Sequence, residues 1–418
     1  MGKNIRVIIL LLSTFLVACG GGGSGDSNSD KPSKNDGKLP TDTETSQGKP
    51  STEKPQETAE DTNTPSVGGT PAEKTETIPI STVGNKNHPT ASIAGMNLIS
   101  LERQACGLGG LSYDNDLERL SVQHAQYIQH IFSNANVSSF NAHSQQSLIG
   151  LEKTTSINNP YYSGVNFKDR LIAANYPNSS YIAGENISHR TAYSSNGLSL
   201  SPDTHAIDMA RGLLSAPYHM RTLVNPNMNS TGAGLVTYTP FEKDANTSKG
   251  YLFVTSIAGS MTTPKDIANK IITYPCAAST GVKTGLFNES PNPVQGTNRN
   301  LATDPIGHPV HIRLADANTI KVSNVKIIDV KRNIDIPINM IDTDNDPHKG
   351  TSYQLPANEA FILPITDNLK SCEVGNRKGQ NCGLYGNSDY QVSFDILIDN
   401  KNLETRVFTF KTGPVNYS

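Results

Sequence analysis

The sequence predicts an α+β domain followed by an all-β domain, both carried behind a low-complexity N-terminal stretch. Three observations predict this. Residues 93 to 262 mix helical and strand periodicities without a strand–helix–strand repeat, which points to helices layered on a sheet. Beyond Cys276 the chain turns to short β-rich runs separated by Asn, Asp, Gly and Pro clusters, the spacing of an antiparallel sandwich. Residues 20 to 92 contain no Phe, Tyr or Trp and are dense in Ser, Thr, Pro, Gly, Lys and Glu. Such a stretch cannot bury enough apolar surface to offset the entropy of ordering it.

Residues 1 to 19 are expected to be a processing signal. Lys3 and Arg6 precede an apolar run from Val7 to Val17 that is too short to span a bilayer comfortably. Leu16-Val17-Ala18-Cys19 then reads as a lipobox, with a lipidated Cys19. Gly20 follows, with no Asp to favour inner-membrane retention, so the expected location is the bacterial outer membrane, periplasmic or surface-facing. The stretch over 20–92 becomes a tether, with a root-mean-square reach on the order of 45 Å for a flexible chain of that length. The lipid is the one membrane attachment expected. A formal charge of −3 and no basic stripe argue against a nucleic-acid partner.

Within 93–262, Asp114 is a plausible N-cap for a helix carrying Leu117, Leu120, Ala125, Ile128, Ile131 and Phe132 at helical spacing. Phe167 to Ala174 and His205 to Ala216 read as further helices, the latter stopped by Pro217. Ala183–Ser188, Gly232–Tyr238 and Tyr251–Ala258 read as strands. Within 270–418 the strand candidates are Val310–Leu314, Ile320–Val330, Ile334–Ile341, Phe361–Ile365, Tyr390–Ile398 and Arg406–Lys411. Five cysteines are present. Lipidation of Cys19 leaves an even set, suited to an oxidising compartment. Of the three connectivities of Cys106, Cys276, Cys372 and Cys382, the simplest joins Cys106 to Cys276 and Cys372 to Cys382.

Three short segments carry chemistry: Asn141-Ala142-His143-Ser144, Ala183-Gly184-Glu185-Asn186-Ile187 and Ala216-Pro217-Tyr218-His219-Met220-Arg221. Two imidazoles and one carboxylate suit a zinc-like divalent cation, or a polar cleft without one. Asp342 to Asp346 imitates a calcium loop, but Pro347 and Tyr353 stand where Gly and a bidentate Glu are needed, so a turn is expected there. His189 and His205 read as surface residues, and His124 as a satisfied structural histidine.

These segments, in order with Asn97–Arg103, Cys106-Gly107-Leu108, His124-Ala125, Phe167-Lys168-Asp169-Arg170-Leu171, Asn175-Tyr176, Leu223-Val224-Asn225-Pro226 and Gly232-Ala233-Gly234, resemble the bacterial branch of the CAP superfamily over roughly 97–258. The resemblance implies an α-β-α sandwich, with His143, Glu185 and His219 on three positions of a two-His, two-Glu cleft that binds a divalent cation in several members. The usual fourth position, a Glu one turn before the second His, falls nearest Ser215, and no Glu lies between Ser188 and Phe241. Tyr274-Pro275, Phe287–Pro293 and Gly307–Val310 resemble an Ig-like sandwich that often follows such domains. Three functions stay open. One is an anchored binder of a small ligand, metal or envelope or host partner. Another is a metal-dependent hydrolase of the cell envelope or secreted targets, whose catalytic group is unassigned, Glu185 being the one candidate, and a third is a structural adhesin or spacer.

Overall fold

The computed structural model describes residues 86–418, apart from 138–139, 178–180, 195–200, 374–376 and 416–418. The leader with Cys19 and the tether up to residue 85 lie outside the described residues. Residues 86 onward belong to one compact unit, with the helical layers and the β-rich region described together.

The first region opens with β1 (Lys86–Asn87) and α1 (Pro89–Ala105), so ordered structure starts inside the stretch expected to be tether. Strand β2 (Ser112–Tyr113) leads to α2 (Asn115–Asn134), whose N-cap is Asp114, as expected: its carboxylate accepts from the Asp116 and Leu117 amides at 2.9 and 3.0 Å. Helix α3 (Phe167–Ala173) is held by a reciprocal capping box between Asn166 and Asp169. Strand β3 (Tyr181–Tyr193) is longer than its apolar stripe suggested. Helix α4 (Pro202–Leu213) begins ahead of His205, with Ser201 as N-cap and Pro202 in the first turn. Pro217 does stop that helix, but it also starts α5 (Pro217–Leu223), where its fixed φ and missing N–H cost nothing. Strands β4 (Met228–Tyr238) and β5 (Ser248–Ser260) complete the sheet.

The sheet runs β1-β4-β5-β3, with β2 pairing alongside β4, so β3 is an edge strand. Helix α2 covers one face: a Cβ on Gly232 would lie 1.9 Å from the Glu118 amide nitrogen, and one on Gly234 2.7 Å from Val122 Cα. Those two glycines let the helix axis approach β4. Helices α1, α4 and α5 cover the other face, where Phe253, Leu235 and Ala233 join Met96, Ile99, Met209 and Leu213 in one core. The result is helix, sheet and helix in three layers.

After α6 (Lys265–Ala268), β6 (Ile271–Tyr274) opens the second region. A small pair, β7 (Gly285–Leu286) and β8 (Ile306–Gly307), precedes β9 (Val310–Leu314), β10 (Ile320–Asp329), β11 (Ile334–Ile336) and β12 (Ile338–Asp342). Strands β13 (Glu359–Pro364), β14 (Asp389–Ile398) and β15 (Asn402–Lys411) end the chain. Two four-stranded sheets, β11-β10-β14-β15 and β12-β13-β9-β6, are antiparallel throughout and share one core around Ile312, Ile327, Ile362, Val392 and Phe394.

Alternate residues of the second sheet face the helices. Phe361, Leu363 and Ile341 join the same apolar cluster as Leu213, Leu223 and Met220, so burial runs without a break across residues 262–270, where the sequence suggested a boundary. Cys106 bonds Cys276 and Cys372 bonds Cys382, the simplest connectivity; the first ties α1 to the start of the second region.

Candidate functional site

Glu185 lies mid-β3, where strand alternation turns it toward α2 and α3. Arg170 of α3 donates from Nη2 to both carboxylate oxygens, at 2.6 and 2.8 Å, and from Nη1 to the His143 carbonyl at 3.1 Å. His143 Nδ1 sits 2.8 Å from Glu185 Oε1. Burial alone would raise the Glu185 carboxyl, but Arg170, with His124 and His143, holds it well below the usual carboxylate range. His124 is fully buried, its Nε2 2.8 Å from the Ala142 carbonyl and its Nδ1 2.8 Å from Gln145 Nε2. Both ring nitrogens are thus spent, and burial pushes its pKa down to about 3, so it is a neutral structural residue as expected.

His219 goes elsewhere. No hydrogen bond or ion pair links it to His143 or Glu185. Its Nδ1 lies 3.2 Å from Glu289 Oε1, an oxygen that also accepts the backbone amides of Tyr218 and His219 at 2.7 and 3.1 Å. An oxygen accepting two amides is an acceptor, so the imidazole nitrogen facing it carries the proton, and in the neutral imidazole Nε2 is then the acceptor. His219 Nε2 and Glu289 Oε2 are both buried without a hydrogen-bond partner, as is His143 Nε2. Burial raises the Glu289 carboxyl, against the hydrogen bonds from His219 and Tyr218.

His219 and Glu289 line a cleft of about 110 Å³ between the edge of β3, helices α4 and α5, and the segment 283–290. Its other polar walls come from Ser188, Arg190, Asp208, Ser215 and Lys283. Asp208 takes a hydrogen bond from Arg190 and a contact from Lys283 Nζ at 3.2 Å. Burial lowers the Lys283 ammonium and Asp208 restores part of the loss. Ser215, the residue nearest the family's fourth position, donates to the Gly212 carbonyl at 2.7 Å.

The expected ligand set does not fit a zinc-like ion as arranged. Arg170 occupies both oxygens of Glu185, and a cation there would have to displace a guanidinium. His219 faces a different carboxylate. Among the described residues, no group of three His, Cys, Asp or Glu side chains is placed to hold a metal ion. Asp342 to Asp346 forms a turn: Asp342 caps the Asp344 and Asn345 amides, and Asp346 is buried, accepting from the Tyr218 hydroxyl at 3.1 Å.

His189 and His205 are not surface residues. His189 stacks on Phe132 with ring centroids 4.7 Å apart, and His205 on Tyr251 at 3.7 Å, so each is covered by an aromatic face. Burial pushes His205 down to about 4. Arg170 and Glu289 escaped the sequence reading, as did Arg190, Asp208 and Lys283 of the cleft wall. Arg170 stood in a quoted motif without a role, and Glu289 stood in the second region. A signal existed for the latter: Glu289 is the one Glu between Glu242 and Glu359, and both Glu289 and Glu359 bind α5.

Residues 96–256 match the family model for the cysteine-rich secretory protein family, CAP, so the first region is a CAP domain. No curated protein and no solved structure matches the chain.

Proposed function

We propose that this chain is a lipid-anchored surface protein whose CAP domain binds a small polar ligand in the cleft lined by His219 and Glu289. One observation carries the reading: two buried acceptor atoms, His219 Nε2 and Glu289 Oε2, belong to side chains lining one cleft and lack a partner. Leaving a buried polar atom unpaired costs about 1–3 kcal/mol, so a site that keeps two of them is shaped for a donor from outside the chain. A cleft of about 110 Å³ is below the ~300–1,000 Å³ that drug-sized ligands fill, so the ligand has few heavy atoms. Cys19 supplies the anchor, at the outer membrane, and residues 20 to 85 the tether. The two antiparallel sheets after residue 270 are read as an Ig-like sandwich that walls the cleft through its leading segment.

The metal-dependent hydrolase is the second reading, resting on the His143–Glu185 pair, and Arg170 weighs against it. Native mass spectrometry of full-length protein extracted from membranes without chelator tests both. The expected result is a lipid mass on Cys19 and a small non-covalent adduct that Glu289→Gln and His219→Ala lose. Adduct retained in both variants, or absent from all samples, would sink the cleft reading. A zinc-like ion lost on His143→Ala would favour the hydrolase.

A further inference from the structure

We infer that the cleft is a receptor site for a small zwitterion, a molecule carrying an amine and a carboxylate a few bonds apart, such as a free amino acid. This rests on the cleft reading above and names its ligand class. The cleft has two chemically opposite ends. At one end Lys283 and Arg190 share the single carboxylate of Asp208, which leaves a surplus of positive charge and donors: Lys283 Nζ has three hydrogens, and Asp208 faces it at 3.2 Å. At the other end stand acceptors only, His219 Nε2 with its lone pair and Glu289 Oε2, both buried and unpartnered.

The chain path keeps these ends apart. Segment 283–290 is pinned to Asp208 through Lys283 and to α5 through Glu289. On the opposite wall, α4 carries Asp208 at the cationic end, and the chain then runs through Ser215 to His219 at the acceptor end. Two walls therefore run side by side from donors to acceptors. Arg190 and Lys283 are balanced by Asp208 and Glu289, so the site does not select for net charge. It selects for a dipole whose carboxylate meets the cations and whose ammonium meets the acceptors. A pure anion would leave Glu289 Oε2 unpaired, and a pure cation would crowd Lys283. The cleft volume of about 110 Å³ admits several waters, or one such molecule.

None of the donors and acceptors at the Glu289 end lies in segments that mark the CAP resemblance except His219. The zwitterion site thus belongs to the joined two-region chain, with Glu289 standing opposite the second histidine where the domain itself offers only Ser215.

Calorimetric titration of the full-length protein with L-alanine tests this, with acetate and ethylamine as one-ended controls. Alanine should bind at least ten-fold more tightly than either control. Glu289→Gln keeps the shape and one acceptor but loses the charge, and should weaken alanine at least ten-fold. Lys283→Gln should do the same from the opposite end, and covers the case in which Glu289→Gln fails to fold. The remote, exposed Lys321→Gln should leave binding unchanged. Acetate binding as tightly as alanine, ethylamine doing so, no binding by any of the three, or folded site variants with wild-type affinity would each overturn the proposal. A cleft adduct lacking an amine–carboxylate pair would overturn it while leaving the cleft reading intact.

Discussion

Arg170 decides what Glu185 can do. A carboxylate at 1% exposure, with both oxygens on one guanidinium, is a closed ion pair and not an open ligand. The residue types at His143 and Glu185 were legible in the sequence, and the two do meet. Their partner was not, because an Arg on a predicted helix reads equally well as surface charge until the sheet is placed beneath it. Glu289 was less legible still, since it reaches His219 from 70 residues away and from the other region. The pairing gives a prediction at this scale. Arg170→Met should leave a buried, uncompensated carboxylate and cost about 3–5 kcal/mol in urea unfolding. Adding Glu185→Leu should recover much of that loss, because replacing both members of a buried pair with apolar groups is often near neutral. A mild single variant, or a double variant worse than the single, would show that the pair is not closed as described.

At the scale of elements, periodicity found α2 and the central strands, where one buried stripe alternates with polar residues. It missed α1, whose buried positions include Gly95, Ser92 and Ala91, small residues that give little hydrophobic contrast. It also treated Pro217 only as an ending, although the same residue begins α5, and α5 is the element that joins the regions. From its seven residues Tyr218 reaches Asp346, His219 reaches Glu289 and Arg221 reaches Glu359, at 3.1, 3.2 and 2.7 Å. The close approach of α2 to β4 makes a sharper prediction. Gly232→Ala would drive a methyl group into the backbone of α2 and should destabilise by several kcal/mol, within or beyond the usual ~1–3 kcal/mol range of overpacking. Gly212→Ala, in the last turn of α4 with nothing within 4 Å of the added carbon, should be neutral or stabilise by about 0.5–1 kcal/mol. Chemical denaturation of the two variants side by side checks the contrast, and equal stabilities would contradict this helix–sheet geometry.

For the molecule as a whole, the apolar cluster that spans α4, α5 and the second sheet, together with the Cys106–Cys276 bond, predicts one cooperative unfolding transition and not two. The same continuity buries ionisable groups far from water, and several of them are shifted downward. His124 and His308 are pushed down to about 3 by burial, with Arg170 adding to the effect on the first. Glu359 is buried too, yet Arg221 and Arg313 hold its carboxyl well below the ordinary range. For a group whose folded pKa is depressed, the unfolded chain takes up the proton first, so stability is complete above the unfolded pKa and drains away as pH falls. The histidines begin to drain below about 6.5, each by about 1.4 kcal/mol per pH unit, and the carboxylates join below about 4.5. Stability should therefore fall between pH 7 and pH 5 by about 2 kcal/mol for each of the two imidazoles, while the transition stays single. His308→Asn removes one contributor and should flatten the fall by a like amount, whatever its own cost at pH 7. Urea unfolding of wild type and variant at the two pH values measures both slopes. A wild-type stability that holds level to pH 5 would mean that these imidazoles already titrate in the folded protein, and that the core which joins the two regions is open to water.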